Sequence, residues 1–84
     1  MKKATILVVE DELPLQEVIK EKLTHGGFEV LTARTVSQAM NHIKDVPGIA
    51  AIWLDHYLLG QEDGLDFVAQ CKQEGSMCRE IPIF

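Results

Sequence analysis

Six consecutive apolar residues, Ile49-Ala50-Ala51-Ile52-Trp53-Leu54, run into a single carboxylate at Asp55, with Pro47-Gly48 before them and a polar stretch after. A run this short, bounded by turn formers and lacking polar alternation, reads as a strand buried on both faces, as in a parallel sheet. Asp55 then stands where the strand surfaces, at the end of the strands where open α/β sheets bind ligands. An aspartate in such a place also caps turns, so its position alone does not separate a site residue from a turn residue.

The remainder of the chain supplies the partners such a strand needs. Thr5-Ile6-Leu7-Val8-Val9 is a second aliphatic run and reads as another buried strand. It ends in Glu10-Asp11-Glu12. Pro14 suits the first turn of a helix, where its missing N–H is no loss. Leu15, Val18, Ile19 and Leu23 share one apolar face of that helix, with Glu17, Lys20, Glu21 and Lys22 mostly opposite. Gly26-Gly27 ends it. Residues 28–33, Phe-Glu-Val-Leu-Thr-Ala, form a weaker strand placed towards an edge. Thr35 followed by Gln38 is a capping-box pair that opens a second helix through about Asp45, with Val36, Ala39, Met40 and Ile43 as its buried stripe. After Asp55, His56 to Asp63 reads as a loop and Gly64 to Glu74 as a third helix. Ile81-Pro82-Ile83-Phe84 begins a fourth strand. The order strand, helix, strand, helix, strand, helix, strand implies right-handed crossovers and a parallel sheet with helices on both faces.

Composition narrows the function. Eighty-four residues make one domain, and one this small buries only about 60–65% of the surface its unfolded chain exposes. A hydrophobic content of 46%, a charged content of 25% and a mean hydropathy of +0.03 suit a globular fold and argue against disorder. The net charge of −5, without a basic cluster, counts against nucleic-acid binding by this domain. Lys2-Lys3 precedes too short an apolar run for a signal peptide, and no stretch is long enough to span a membrane. A cytoplasmic location is the default expectation. Cys71 and Cys78 are the only cysteines and His25, His42 and His56 the only histidines, none at zinc-site spacing. Free thiols in a reducing compartment are expected.

The first and third strands are the most apolar, hence central and adjacent, and their carboxyl ends carry Glu10-Asp11 and Asp55. Three carboxylates brought together repel and raise at least one pKa. A hard divalent cation offsets that repulsion, and Mg²⁺ typically takes one or two carboxylates, keeps several waters and leaves room for a phosphate oxygen. Such a site suits phosphoryl transfer with a carboxylate as nucleophile. Favourable contact with the positive end of the first helix would account for one or two of Glu10, Asp11 and Glu12, but not for Asp55.

With these residues assembled, Ile-Leu-Val-Val-Glu-Asp-Glu at 6–12, Gly-Gly-Phe-Glu-Val at 26–30, the strand ending in Asp55 and the pair Asp63-Gly64, the chain resembles the receiver domain of two-component response regulators over essentially its whole length. The resemblance implies a flavodoxin-like doubly wound parallel sheet of strand order 2-1-3-4, residues 1–84 being about two-thirds of a receiver, with the fifth strand and last two helices absent. It implies that Asp55 is the phosphoacceptor, taking a phosphoryl group from the phosphohistidine of a sensor histidine kinase or phosphotransfer protein with Mg²⁺ bound. Asp11 would ligate the metal directly, Glu10 directly or through water, and the Tyr57 main-chain carbonyl would complete the set. The chain would then be a signalling switch and not a multiple-turnover enzyme.

Two local departures stand out. Leu59 occupies the usual proline position, with one residue more before Asp63-Gly64, and His56 follows the acceptor directly. The family's Lys and its Ser or Thr cannot be mapped onto these residues, which implies that phosphorylation and its readout are impaired in this segment. An unpaired fourth strand would also leave an edge for homodimer formation near Ile81 to Phe84. The alternative functional reading is a receiver-like interaction or dimerisation module that is never phosphorylated. A flavodoxin-like cofactor binder is less well supported, because no Gly-rich or hydroxyl-rich phosphate loop follows the first strand.

Overall fold

The computed structural model describes residues 3–55, 68–69, 71–73 and 80–84. Its elements are β1 (Thr5–Val9), α1 (Leu13–His25), β2 (Glu29–Ala33), α2 (Val36–Asp45) and β3 (Ile49–Leu54). All strand pairs are parallel, in the order β2-β1-β3. Residues 81–84 continue the sheet beyond β3: Ile83 bridges Ile52, the Ile52 and Leu54 amides donate to Pro82 and Phe84 at 2.9 Å, and the Phe84 amide donates back to Ile52 at 2.9 Å. The expected doubly wound order 2-1-3-4 is therefore the order observed. Backbone at 68–69 and 71–72 is helical, within the third helix expected between Gly64 and Glu74.

The turn chemistry explains the element boundaries. α1 closes in a Schellman motif, with the Phe28 amide donating to Leu23 and the Gly27 amide to Thr24, both at 3.1 Å. That geometry needs Gly27 at φ +93°, a conformation an L side chain rarely adopts. α2 starts at Thr35, whose hydroxyl accepts from the Gln38 amide at 3.1 Å. The Gln38 side chain reaches back one residue further than in the usual capping box, accepting the Arg34 amide at 2.7 Å.

Because the chain passes from β1 to β2 on one side and from β2 across to β3 on the other, right-handed crossovers put α1 and α2 on opposite faces. The α2 face holds the main core: Leu7, Val9, Ala33, Ala39, Ile43, Ile49, Ile52, Leu54 and Cys71 are all buried in one cluster. Val36 and Met40 pack against it as the helical stripe expected of them.

Three expectations need correction. β3 is not buried on both faces, since Ala50 and Trp53 are exposed. The register with β1 shifts between Thr5↔Ile49 and Ile6↔Ala51. That irregularity inserts Ala50 as an extra residue and lets both Ile49 and Ile52 face the core. The buried line of α1 is Gln16 and Ile19, with Leu23 half-buried, while Leu15 and Val18 are exposed. Hydropathy alone misplaces that face because Gln16, a polar residue, occupies its centre. Finally, Cys71 is disulfide-bonded, not a free thiol. The chain's other cysteine, Cys78, lies outside the described residues. Arguments from compartment set the redox prior but say nothing of local chain geometry, and two cysteines this close in sequence face only a small loop-closure cost.

Candidate functional site

β1 is held in the ladder on both sides as far as Val9, which pairs with Ala33 and Leu54. Two further backbone bonds carry the ladder one residue past the strand ends: the Glu10 amide donates to Ala33 at 2.9 Å, and the Asp55 amide donates to Val9 at 3.1 Å. Glu10, Asp11 and Asp55 thus leave adjacent strands at one level. This is where the strand order reverses, the crevice in which open α/β sheets place their ligands.

Each of the three offers a carboxylate oxygen, and these oxygens all lie within 4.8 Å of one another. With Glu12 and Leu15 they line an open cleft of about 510 Å³. Glu10 is buried, whereas Asp11 and Asp55 are partly exposed. Its carboxyl is pushed above the ordinary carboxylate range, chiefly by burial and further by the negative charge of Asp55 and contacts with both aspartates, against the Glu12 amide, which donates to Glu10 Oε2 at 3.3 Å. A set of hard oxygen donors carrying excess negative charge is the donor chemistry a small divalent cation requires. The site expected from sequence at Glu10, Asp11 and Asp55 is therefore brought together. The Tyr57 carbonyl expected to complete it lies outside the described residues, as do His56, Leu59 and Asp63-Gly64.

Two side chains that sequence reasoning passed over support the acidic turn. Gln16, on the first turns of α1 and only 4% exposed, donates its side-chain amide to the Glu10 carbonyl at 3.0 Å and to the Ala33 carbonyl at 3.3 Å. Arg34, between β2 and α2, directs Nε and Nη2 at the Asp11 carbonyl, at 3.3 and 3.1 Å. The available signal for Gln16 was its place three residues before Ile19 and seven before Leu23, in phase with the buried face. Arg34 carried none, because its partner is a main-chain carbonyl distant in sequence.

Comparison with known proteins agrees with this geometry. The chain is 38% identical over 78 residues to the phosphate regulon transcriptional regulatory protein PhoB of Escherichia coli K12, covering 93% of this chain and 33% of that protein. The PhoB of Klebsiella pneumoniae matches to the same extent. Among solved structures, the non-phosphorylated HemR receiver domain from Leptospira biflexa superposes with a TM-score of 0.77 at 29% identity, covering 96% of this chain and 61% of that one. These likenesses support a receiver domain of the response-regulator kind. Chemotaxis response regulator CheY4 of Vibrio cholerae shares the fold, with a TM-score of 0.82 at 23% identity over 98% of this chain and 66% of that one. No family model matches the chain. The chain spans only 33% of the length of the PhoB relatives. Among the described residues, no helix is long and apolar enough to cross a membrane.

Proposed function

We propose that this receiver chain is a phosphoacceptor in a two-component relay, with Asp55 as the acceptor and Mg²⁺ held by Glu10, Asp11 and Asp55 and by the Tyr57 carbonyl. The observation that carries the reading is the convergence of three carboxylates within 4.8 Å at the reversal point of the sheet. A carboxylate oxygen of Asp55 attacks the phosphorus of a phosphohistidine on a sensor histidine kinase or phosphotransfer protein. The new O–P bond forms as the N–P bond breaks, and the electron pair returns to the imidazole. A cation bound there would supply neutralising charge for the carboxylates and the incoming phosphoryl oxygens. Glu10 and Asp11 would hold that cation, and the ladder bond from the Asp55 amide to Val9 fixes the backbone from which the nucleophile projects. In this role the chain is a cytoplasmic switch changed once per signalling event, and its acidic surface, net charge −5, does not engage nucleic acid.

Incubation with a small acyl-phosphate donor, followed by intact-mass measurement, tests the reading. The expected result is a single phosphoryl increment, at partial occupancy, that requires Mg²⁺ and disappears in Asp55→Asn. Equal labelling of Asp55→Asn, or labelling indifferent to chelation of the metal, would overturn it.

A further inference from the structure

Three carboxylates that repel one another do not converge through their own chemistry, so something else must hold the turn that carries two of them. The last ladder bond of this strand is donated by the Glu10 amide to Ala33, and the carbonyls of Glu10 and Asp11 beyond it accept from side chains. Each is taken by a side-chain donor from a different neighbouring element. Gln16 reaches the Glu10 carbonyl from α1, and Arg34 reaches the Asp11 carbonyl with two nitrogens from the turn before α2. Gln16 also grips Ala33, the residue whose carbonyl accepts the Glu10 amide, so one buried side chain ties α1, the end of β1 and the end of β2 together. Arg34 is itself fixed, since its amide is held by Gln38 in the cap that starts α2.

We infer that Gln16 and Arg34 are positioning residues for the metal site: they clamp the backbone of Glu10 and Asp11 so that both carboxylates face Asp55. The inference rests on the cation-binding reading above. It differs from a purely electrostatic role in the sign of its effect. A guanidinium beside an acidic site repels a cation, so neutralising Arg34 without any clamp would tighten metal binding. Losing the clamp weakens it, because the carboxylates spread and must be drawn together on binding. Groups that orient metal ligands are typically worth about 10- to 100-fold in metal affinity, and a clamp acting through the backbone belongs at the lower end, about tenfold.

Mn²⁺ is the probe, titrated against the chain while the free ion is followed by electron paramagnetic resonance, with Mg²⁺ competition to establish a shared site. Arg34→Gln is expected to bind Mn²⁺ about tenfold more weakly than wild type, and Gln16→Met similarly, with Arg34→Lys intermediate because it keeps the charge and one donor. Circular dichroism checks that the folds are retained. Arg34 is exposed, so Arg34→Gln decides the matter alone if Gln16→Met fails to fold. Unchanged or tighter binding by Arg34→Gln, in a wild-type chain that does bind Mn²⁺, would overturn the clamp and leave the proposed function standing. Failure of the wild-type chain to bind Mn²⁺ would overturn both.

Discussion

The two faces of the sheet are built differently although one set of strands supplies both. Towards α2, Leu7, Val9, Ile52 and Leu54 join Ala39 and Ile43 in a core that, among the described residues, buries no polar side chain. Towards α1, Val8 is buried beside Trp53, which is 43% exposed, and the helix contributes a buried amide, Gln16, in the middle of its contact. No buried side-chain N or O atom among the described residues lacks a hydrogen-bond partner, so the polar contact on the α1 side is fully satisfied. The difference separates two tasks. The α2 face carries cohesion, while the α1 face gives up some apolar contact to place a donor under the acidic turn.

The largest effect should come from emptying the cohesive face. Ile52→Ala removes a fully buried side chain from the centre of the cluster and should cost about 2–5 kcal/mol in urea unfolding. Trp53→Thr, one residue away on the opposite face, removes more atoms from a half-exposed position and should cost less than Ile52→Ala. Equal losses at the two positions would show that the faces contribute alike and would break the comparison.

Next in size is the acidic turn itself. Burial and Asp55 raise the Glu10 carboxyl above its unfolded value, so the folded state disfavours the charged form. The penalty is absent below the unfolded carboxylate range, where the group is protonated in both states, and grows as pH rises towards the folded value. Glu10→Gln, without divalent cations, should therefore raise the thermal midpoint at neutral pH. The advantage should shrink as the pH falls through the carboxylate range. An advantage that grew towards acid would reverse the assignment of cause. With Mn²⁺ present the order should invert, because the variant loses a ligand.

Much of this was legible in the residues. The runs at 5–9 and 49–54 located the central strands, and the acids at their ends located the acidic cluster, because strand pairing depends on residue type and order. The register was not legible, since the extra residue at Ala50 appears only when β3 is matched against β1. Nor was the buried face of α1, because hydropathy scores Gln16 as outward-facing whatever its hydrogen bonds. Arg34 was invisible for the complementary reason that a main-chain carbonyl has no sequence signature.

Smaller again is the contrast between the helix starts. α2 has a side-chain cap at Thr35, and α1 has none at Glu12. Thr35→Ala should cost about 1 kcal/mol. It should also loosen Arg34 through Gln38, so its Mn²⁺ affinity should fall by less than that of Arg34→Gln. A stability loss with affinity unchanged would confine the cap to holding α2 in place.

The smallest effect carries the clearest sign. Periodicity puts Val18 on the apolar face of α1, where truncation to alanine would empty a core position and cost about 1–3 kcal/mol. The structure leaves Val18 49% exposed, with Ile19 beside it at 8%. At an exposed helical position the β-branched side chain mainly restricts its own rotamers, and alanine is the better helix former by up to about 0.7 kcal/mol. Val18→Ala should therefore leave stability unchanged or raise it by a few tenths of a kcal/mol, whereas Ile19→Ala should destabilise. If chemical denaturation instead shows Val18→Ala losing as much as Ile19→Ala, then the α1 face buries a broader apolar stripe than Gln16 and Ile19 define. The division between a cohesive face and a site-bearing face would fall with it.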